Sequence, residues 1–320
     1  MEKILIVGAN GQLGTELCSS LAALYGASNI VAADIRPGKH APGILSVTLD
    51  VLDTVAFAQL VSSHNITHVY QLAAMLSATG EKFPLKAWNL NMQGLINTLE
   101  LARDSSIQRV FWPSSIAAFG PNSPRHDTPQ LSVMDPTTMY GISKQAGERI
   151  CEYYHAKYGV DVRSIRYPGV ISYVSPPGGG TTDYAIEIFQ AAKRGEIYKC
   201  FLSKDTMLPM IYMPDALRAT LELMQANTSS VSVRSSYNVA GLSFSPLELS
   251  EEIQKSVPGF KVIFQPDFRQ AIAQGWPQSL DDQEARQQWG WKPQYNLAAL
   301  VQDMLQNIPL HWFDCSPQVA

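Results

Sequence analysis

Tyr140 and Lys144 stand four residues apart, and Ser115 precedes them in the chain. At the start of a helix, positions i and i+4 share one face, so the ammonium lies near the phenol. A free phenol ionises only near pH ~10 and is a poor base at neutral pH. A neighbouring cation favours the phenolate, so this spacing predicts general-base chemistry on a hydroxyl group. Ser115 closes the run Phe111-Trp-Pro-Ser114-Ser115, which reads as a strand. It therefore falls at the carboxyl edge of a sheet, where open α/β folds bind ligands. A hydroxyl there is suited to hold the substrate oxygen that gains or loses a proton.

A second group of residues predicts the electron carrier. Gly8, Gly11 and Gly14 punctuate the run Gly8-Ala-Asn10-Gly11-Gln12-Leu13-Gly14, which follows the apolar strand Ile4-Leu-Ile-Val7 and opens a helix. In that context Gly8 allows the tight turn, Gly11 lets the backbone approach a pyrophosphate, and Gly14 lets helix pack on strand. The pyrophosphate then rests on N–H groups at the positive end of the helix. Asp34 ends the next strand, where a carboxylate hydrogen-bonds the adenosine ribose and repels a 2′-phosphate. That predicts NAD rather than NADP, although Arg36 pulls the other way. Asp50 and Val51, after the third strand, are placed to flank the adenine.

The elements needed to hold these groups alternate strand and helix. Helices are expected at Gln12–Tyr25, Thr54–Ser63, Ala87–Arg103 and Tyr140–Tyr158. Strands are expected at Asn29–Asp34, Ile44–Leu49, His68–Leu72, Arg109–Ser114 and Val162–Arg166. This rhythm predicts an α/β fold, a Rossmann doubly wound parallel sheet with helices on both faces. After Tyr167 the rhythm breaks at Ser175-Pro-Pro-Gly-Gly-Gly-Thr-Thr182, either a linker or a loop that closes on substrate. Helices at Tyr184–Arg194, Asp215–Gln225, Pro246–Ser256, Asp282–Gln288 and Leu297–Asn307 follow, with strands at Leu208–Tyr212, Ser236–Val239 and Lys261–Phe264. The expected division is a dinucleotide-binding domain over 1–171, with returning strands and a helix around 206–240, and a smaller α+β substrate-binding domain over 172–320.

Composition narrows the function classes. Of 320 residues, 46% are hydrophobic and only 16% charged, which excludes a disordered or coiled-coil chain. Lys and Arg number 24 against 28 Asp and Glu, so no basic excess is available for nucleic acid. Cys18, Cys151, Cys200 and Cys315 are far apart, with neither metal-ligand nor disulfide spacing, which fits a reducing cytoplasm. His64 and His68 read as a loop entering a strand rather than a metal site. No signal segment or membrane span is evident. Trp276, Trp289 and Trp291 are expected to pack the smaller domain, with a hydrophobic pocket wall as the lesser alternative.

Taken together, the glycine turn, Leu72-Ala73-Ala74, Asn91-Met-Gln-Gly94, Ser114-Ser115 with Phe119-Gly120, and Tyr140 with Lys144 resemble the extended short-chain dehydrogenase/reductase family. The resemblance covers essentially the whole chain. It implies a tightly held NAD and a catalytic set of Ser115, Tyr140 and Lys144. It also places Asn91, Leu72, Ala73, Ala74, Tyr167 and Pro168 on the cofactor side, and it implies a homodimer built on the helices around Ala87–Arg103 and Tyr140–Tyr158.

Within that family the chain departs from the sugar-nucleotide epimerases and dehydratases at Pro168, where those enzymes usually show Asn. Gln71–Glu81, Arg166–Ser172, Pro176–Tyr184 and Leu208–Met213 instead resemble the metal-independent branch that oxidises L-threonine at C3. On that reading Ser77, Gly80, Thr181 and Thr182 are candidate contacts to the amino acid. Arg125 is a candidate partner for its carboxylate, or else a surface residue of a polar turn. A UDP-sugar epimerase or dehydratase is the alternative enzyme, and an NAD-sensing protein without catalysis is the alternative outside enzymes.

Overall fold

The structure, a computed structural model, describes residues 2–310. Its elements begin with β1 (Ile4–Val7), α1 (Gln12–Tyr25), β2 (Ile30–Asp34), β3 (Leu45–Thr48), α2 (Thr54–Ser63) and β4 (His68–Gln71). Next come α3 (Ser77–Lys82), α4 (Pro84–Trp88), α5 (Gly94–Asp104), β5 (Arg109–Ser115), α6 (Met139–Tyr158), β6 (Val162–Tyr167) and β7 (Gly169–Ile171). The remainder comprises α7 (Tyr184–Arg194), β8 (Tyr198–Cys200), β9 (Leu208–Tyr212), α8 (Met213–Gln225), β10 (Tyr237–Asn238) and β11 (Leu242–Phe244). It ends with α9 (Pro246–Ser256), β12 (Val262–Phe264), α10 (Phe268–Gln274), α11 (Gln283–Trp289) and α12 (Leu297–Asn307).

Seven strands form one parallel sheet in the order β10-β6-β5-β4-β1-β2-β3. This is the doubly wound Rossmann arrangement expected from the sequence. The central strands are buried on both faces, and β1 is accordingly apolar throughout. The edge strand β3 (Leu-Ser-Val-Thr) is largely exposed and carries hydroxyl side chains. Leu17 and Leu21 of α1 and Ala219 and Leu223 of α8 cover one face. Phe57 of α2, Leu95 and Leu99 of α5 and Cys151 of α6 cover the other. A third cluster gathers α7, α9 and α12 with the small sheets β11-β9-β7 and β12-β8.

The helix bearing Tyr140 and Lys144 has clear local causes. Thr138 caps α6 by accepting the Gly141 N–H at 3.1 Å, and Gly159 ends it with φ +72°. The long helix expected over Ala87–Arg103 is instead interrupted. A π turn at Asn89–Gln93 separates α4 from α5. Its cause is Asn91, whose amide bonds the backbone of Met75 on both sides, at 2.8 and 3.2 Å, and also the hydroxyl of Ser143 at 3.2 Å. A straight helix would turn that side chain away from both. The short elements α3, β7, β8, β11 and α10 have too few residues to show a period. Cys18, Cys151 and Cys200 are buried and unpaired, and Cys315 lies outside the described residues. Among the described residues no helix is long and apolar enough to cross a membrane.

Candidate active site

The carboxyl ends of β1, β2, β4, β5 and β6 open onto one cleft of about 710 Å³. Gly8, Gly11, Gln12, Leu13 and Gly14 line its floor, with Asp34, Arg36, Asp50 and Val51 at one end. Leu72, Ala73, Ala74, Tyr167 and Pro168 line its middle, and Ser115, Tyr140 and Lys144 come next. Ser77, Thr181 and Thr182 complete the far end.

The turn after β1 fits a dinucleotide. Gly8 has φ +85°, and a Cβ there would stand 2.7 Å from the Ala73 amide nitrogen. A Cβ at Gly14 would overlap the Gly8 carbonyl oxygen. Helix α1 starts with no side-chain cap and no acidic residue in its first turn, so its positive end is left for an anion. The Gln12 amide nitrogen is buried beside it without a partner. Asp34 is 8% exposed and is fixed by two backbone N–H groups, of Asn10 and of Arg36, each at 3.0 Å. Asn10 itself does not line the cleft. Its side chain donates to the Arg36 carbonyl at 2.7 Å and meets His40 Nε2 at 3.1 Å, so it braces the loop holding Asp34. Asn91 likewise acts through the Met75 backbone rather than by lining the cleft.

At the centre, the Ser115 hydroxyl lies beside the Tyr140 phenol and favours its ionised form. Its Oγ accepts the Ala117 N–H at 3.2 Å, so its own O–H is free to donate. Lys144 Nζ donates to the Pro113 carbonyl at 2.6 Å and sits 5.4 Å from the Tyr140 ring centre. Burial opposes the ionisation expected from the spacing alone. It pushes the Tyr140 phenol up to about 12, against the Ser115 hydrogen bond that lowers it. It brings Lys144 down to about 7, against the Glu148 charge that raises it. A further positive charge in the cleft would favour the phenolate.

The remaining candidates divide. Ser77 Oγ meets Thr181 Oγ1 at 3.1 Å and accepts the Thr181 N–H at 3.3 Å, which ties the glycine loop to α3. Gly80 lies behind the cleft, packed toward Ala87 and Tyr140. Arg125 is held away from it, with Nη1 donating to the Gln274 carbonyl at 2.5 Å. Among the lining residues that were not expected contacts, Asp183 and Trp276 stand out. Asp183 accepts the Gly179 and Gly180 N–H groups at 2.9 and 2.7 Å, and burial raises its carboxyl to about 7. Trp276 is 6% exposed, packs in the cluster of the smaller domain as expected and also walls the cleft, whereas Trp289 and Trp291 pack instead on the face of the central sheet covered by α1 and α8. Asp183 follows Thr181-Thr182 directly and was legible by adjacency. Trp276 is distant in sequence, and its place in the cleft wall matches the lesser alternative.

A Rossmann sheet, a glycine turn open to an anion and a Ser-Tyr-Lys cleft define the class of nicotinamide-dinucleotide oxidoreductases. Residues 4–240 match the NAD dependent epimerase/dehydratase family, and the chain belongs to it. It is similar to the holo form of an L-threonine dehydrogenase from Cupriavidus necator, at 59% identity over 95% of this chain and 99% of that one, with TM-score 0.94. An L-threonine dehydrogenase from Clostridium difficile is 44% identical over 97% and 98%, with TM-score 0.93. An uncharacterized epimerase/dehydratase of Staphylococcus haemolyticus is 47% identical over 96% of this chain and 98% of its own length.

Proposed function

We propose that this enzyme oxidises L-threonine at C3 to 2-amino-3-oxobutyrate with NAD as acceptor. The observation that carries the reading is the meeting of Ser115, Tyr140 and Lys144 with the Thr181-Thr182 loop in one cleft. The similarity to L-threonine dehydrogenases supports the same substrate.

The Asp34 carboxylate takes the ribose hydroxyls, and the first turn of α1 takes the pyrophosphate. Oxidised nicotinamide, when bound in this cleft, would supply the hydride acceptor and a positive charge. Ser115 orients the threonine hydroxyl. Tyr140, as phenolate, takes the proton from that oxygen while the C3–H bond breaks as hydride and the carbonyl forms. Lys144 stabilises the phenolate, and Thr182 with Ser77 and Thr181 holds the amino-acid end. The family's helical interface would pair two copies across α4, α5 and α6, where Trp88 of α4 is 39% and Ile142 of α6 38% exposed. Sedimentation of the purified protein tests that pairing.

NADH formation with L-threonine, beside D-threonine, L-serine and a UDP-hexose, tests the function. EDTA-insensitive NADH formation with L-threonine is expected. No amino-acid turnover, with the UDP-hexose converted, would move the enzyme to sugar-nucleotide chemistry.

A further inference from the structure

Below the cleft lies a charged pair that enters the reaction as derived only through the Glu148 charge on Lys144. Glu148 and Arg166 have side-chain exposures of 0% and 1%. Glu148 follows Lys144 by one helical turn, as Lys144 follows Tyr140, so the three share a face of α6. Arg166 is bidentate on Glu148, with Nε to Oε1 at 2.9 Å and Nη2 to Oε2 at 2.8 Å. The Ser114 hydroxyl donates to the same Oε1 at 2.6 Å. Arg166 Nη1 donates onward to the Gln130 carbonyl at 2.8 Å and to Asn238 Oδ1 at 3.0 Å.

The strand register gives this cluster its shape. Ser114 of β5 pairs with Arg166 of β6, and Arg166 pairs with Asn238 of β10. One residue from each of three adjacent strands thus forms a row across the sheet, and Glu148 joins that row to α6. Burying an ion pair is a poor route to stability, because desolvation offsets much of the attraction. What the pair does supply is fixed geometry through paired, directional bonds. The two elements it ties are those that carry the reacting groups. Ser115 is the next residue after Ser114, and Tyr140 lies two turns along the helix from Glu148.

We propose that Glu148, gripped by Arg166 and Ser114, is a positioning residue that sets the spacing of β5 and α6 at which the Ser115 hydroxyl meets Tyr140. This inference rests on the Ser115 and Tyr140 roles given above. Misplacing reacting groups by about 1 Å can cost on the order of 100-fold in rate, so small changes in this clamp appear in kcat. Ser114 borders the cleft, but its hydroxyl is spent on Glu148, and the NAD and threonine contacts given above involve other residues, so those affinities change little.

The test is a mutant cycle on the full-length enzyme, with kcat and KM for L-threonine, NAD affinity by fluorescence and a thermal midpoint for each variant. Ser114→Ala removes only the bond between β5 and Glu148, and should lower kcat about tenfold with KM and NAD affinity held within about twofold. In a Ser115→Ala background the same change should cost less than about twofold, since the contact it positions is already gone. Glu148→Gln should follow the same pattern with a larger loss. If Glu148→Gln does not fold, Ser114→Ala decides alone. A structural role only would lower the thermal midpoint with wild-type kcat, or give equal losses in both backgrounds; either result overturns the proposal. Tyr140→Phe separates the two readings, because near-wild-type turnover there removes the catalytic roles and this inference with them. If the wild type converts a UDP-hexose and not threonine, the substrate assignment fails and the same cycle is read on that turnover.

Discussion

The two ends of the cleft are built on different terms. The cofactor end is local: Gly8 to Gly14 lie in one turn, and Asp34 ends the adjacent strand β2. Each part is fixed by backbone, through the Gly8 and Ala9 N–H groups on the Ala33 carbonyl and through the two N–H groups on Asp34. The substrate end is assembled from remote segments, with Ser77 of α3, Thr181 and Asp183 of the glycine loop and Trp276 beyond α10. Its ties are side-chain contacts such as Ser77 to Thr181. A site common to many dinucleotide enzymes is held by rigid backbone, whereas the site that selects a substrate is held by replaceable side chains and loops. The catalytic residues sit at the junction and depend on both.

The junction should show the largest effect. Tyr140→Phe keeps the ring and removes the acid–base oxygen, so kcat for threonine oxidation should fall by about 10²–10⁴-fold. NAD affinity, measured by fluorescence titration, should stay near wild type. Turnover within a few-fold of wild type would end the phenolate role.

The rigid end should tolerate least change in shape. Gly14→Ala would set a Cβ against the Gly8 carbonyl and within 2.9 Å of the Ala9 backbone. Overpacking of this kind costs roughly 1–3 kcal/mol, so NAD affinity should weaken by about 10–100-fold. Isothermal titration reads this directly, and unchanged affinity would mean that the turn is softer than the comparison holds.

This contrast also explains which parts were legible in the sequence. Strand β1 and helix α1 appear where their residues predict, because apolar runs and glycines act within a few positions. The break at Asn89–Gln93 was not legible, because its cause is Met75 and Ser143, which meet Asn91 only in the folded chain. Trp276 packs the smaller domain as expected, and only the folded chain brings it to the cleft wall as well. Arg125, between Ser115 and Tyr140 in sequence, looked near the site, yet the fold gives it to Gln274. Proximity along the chain was a good guide at the cofactor end and a poor one at the substrate end.

The loop end should carry a pH signature. Asp183 is raised to about 7, first by burial and despite the Gly180 and Gly179 N–H bonds. An unfolded Asp ionises near pH ~3.9. Between those values the folded chain binds more protons at this site than the unfolded chain, so its contribution is complete below pH ~4 and is lost as pH rises through about 7. Asp183→Asn does not titrate. The thermal midpoint of wild type relative to Asp183→Asn should therefore fall by about 2–4 °C from pH ~5 to ~8. A constant difference across that range would show that the loop does not bury this carboxyl.

Arg125→Ala should have the smallest effect, and it discriminates sharply. A charge-assisted bond from Arg125 to the threonine carboxylate is worth roughly 1.5–3 kcal/mol, and its loss would raise KM by about 10–100-fold. The structure instead directs Nη1 to the Gln274 carbonyl, while the Arg125 carbonyl accepts the Gln278 and Ser279 N–H groups at 2.6 and 3.2 Å. Those bonds brace the segment that carries Trp276, so the guanidinium reaches substrate only through the cleft wall. Backbone bonds made by residue 125 survive the substitution. A KM change of at most about threefold with unchanged kcat is therefore expected, read from initial rates at saturating NAD. A rise of tenfold or more would return Arg125 to the carboxylate and make the substrate end, like the cofactor end, a site built on a fixed charge.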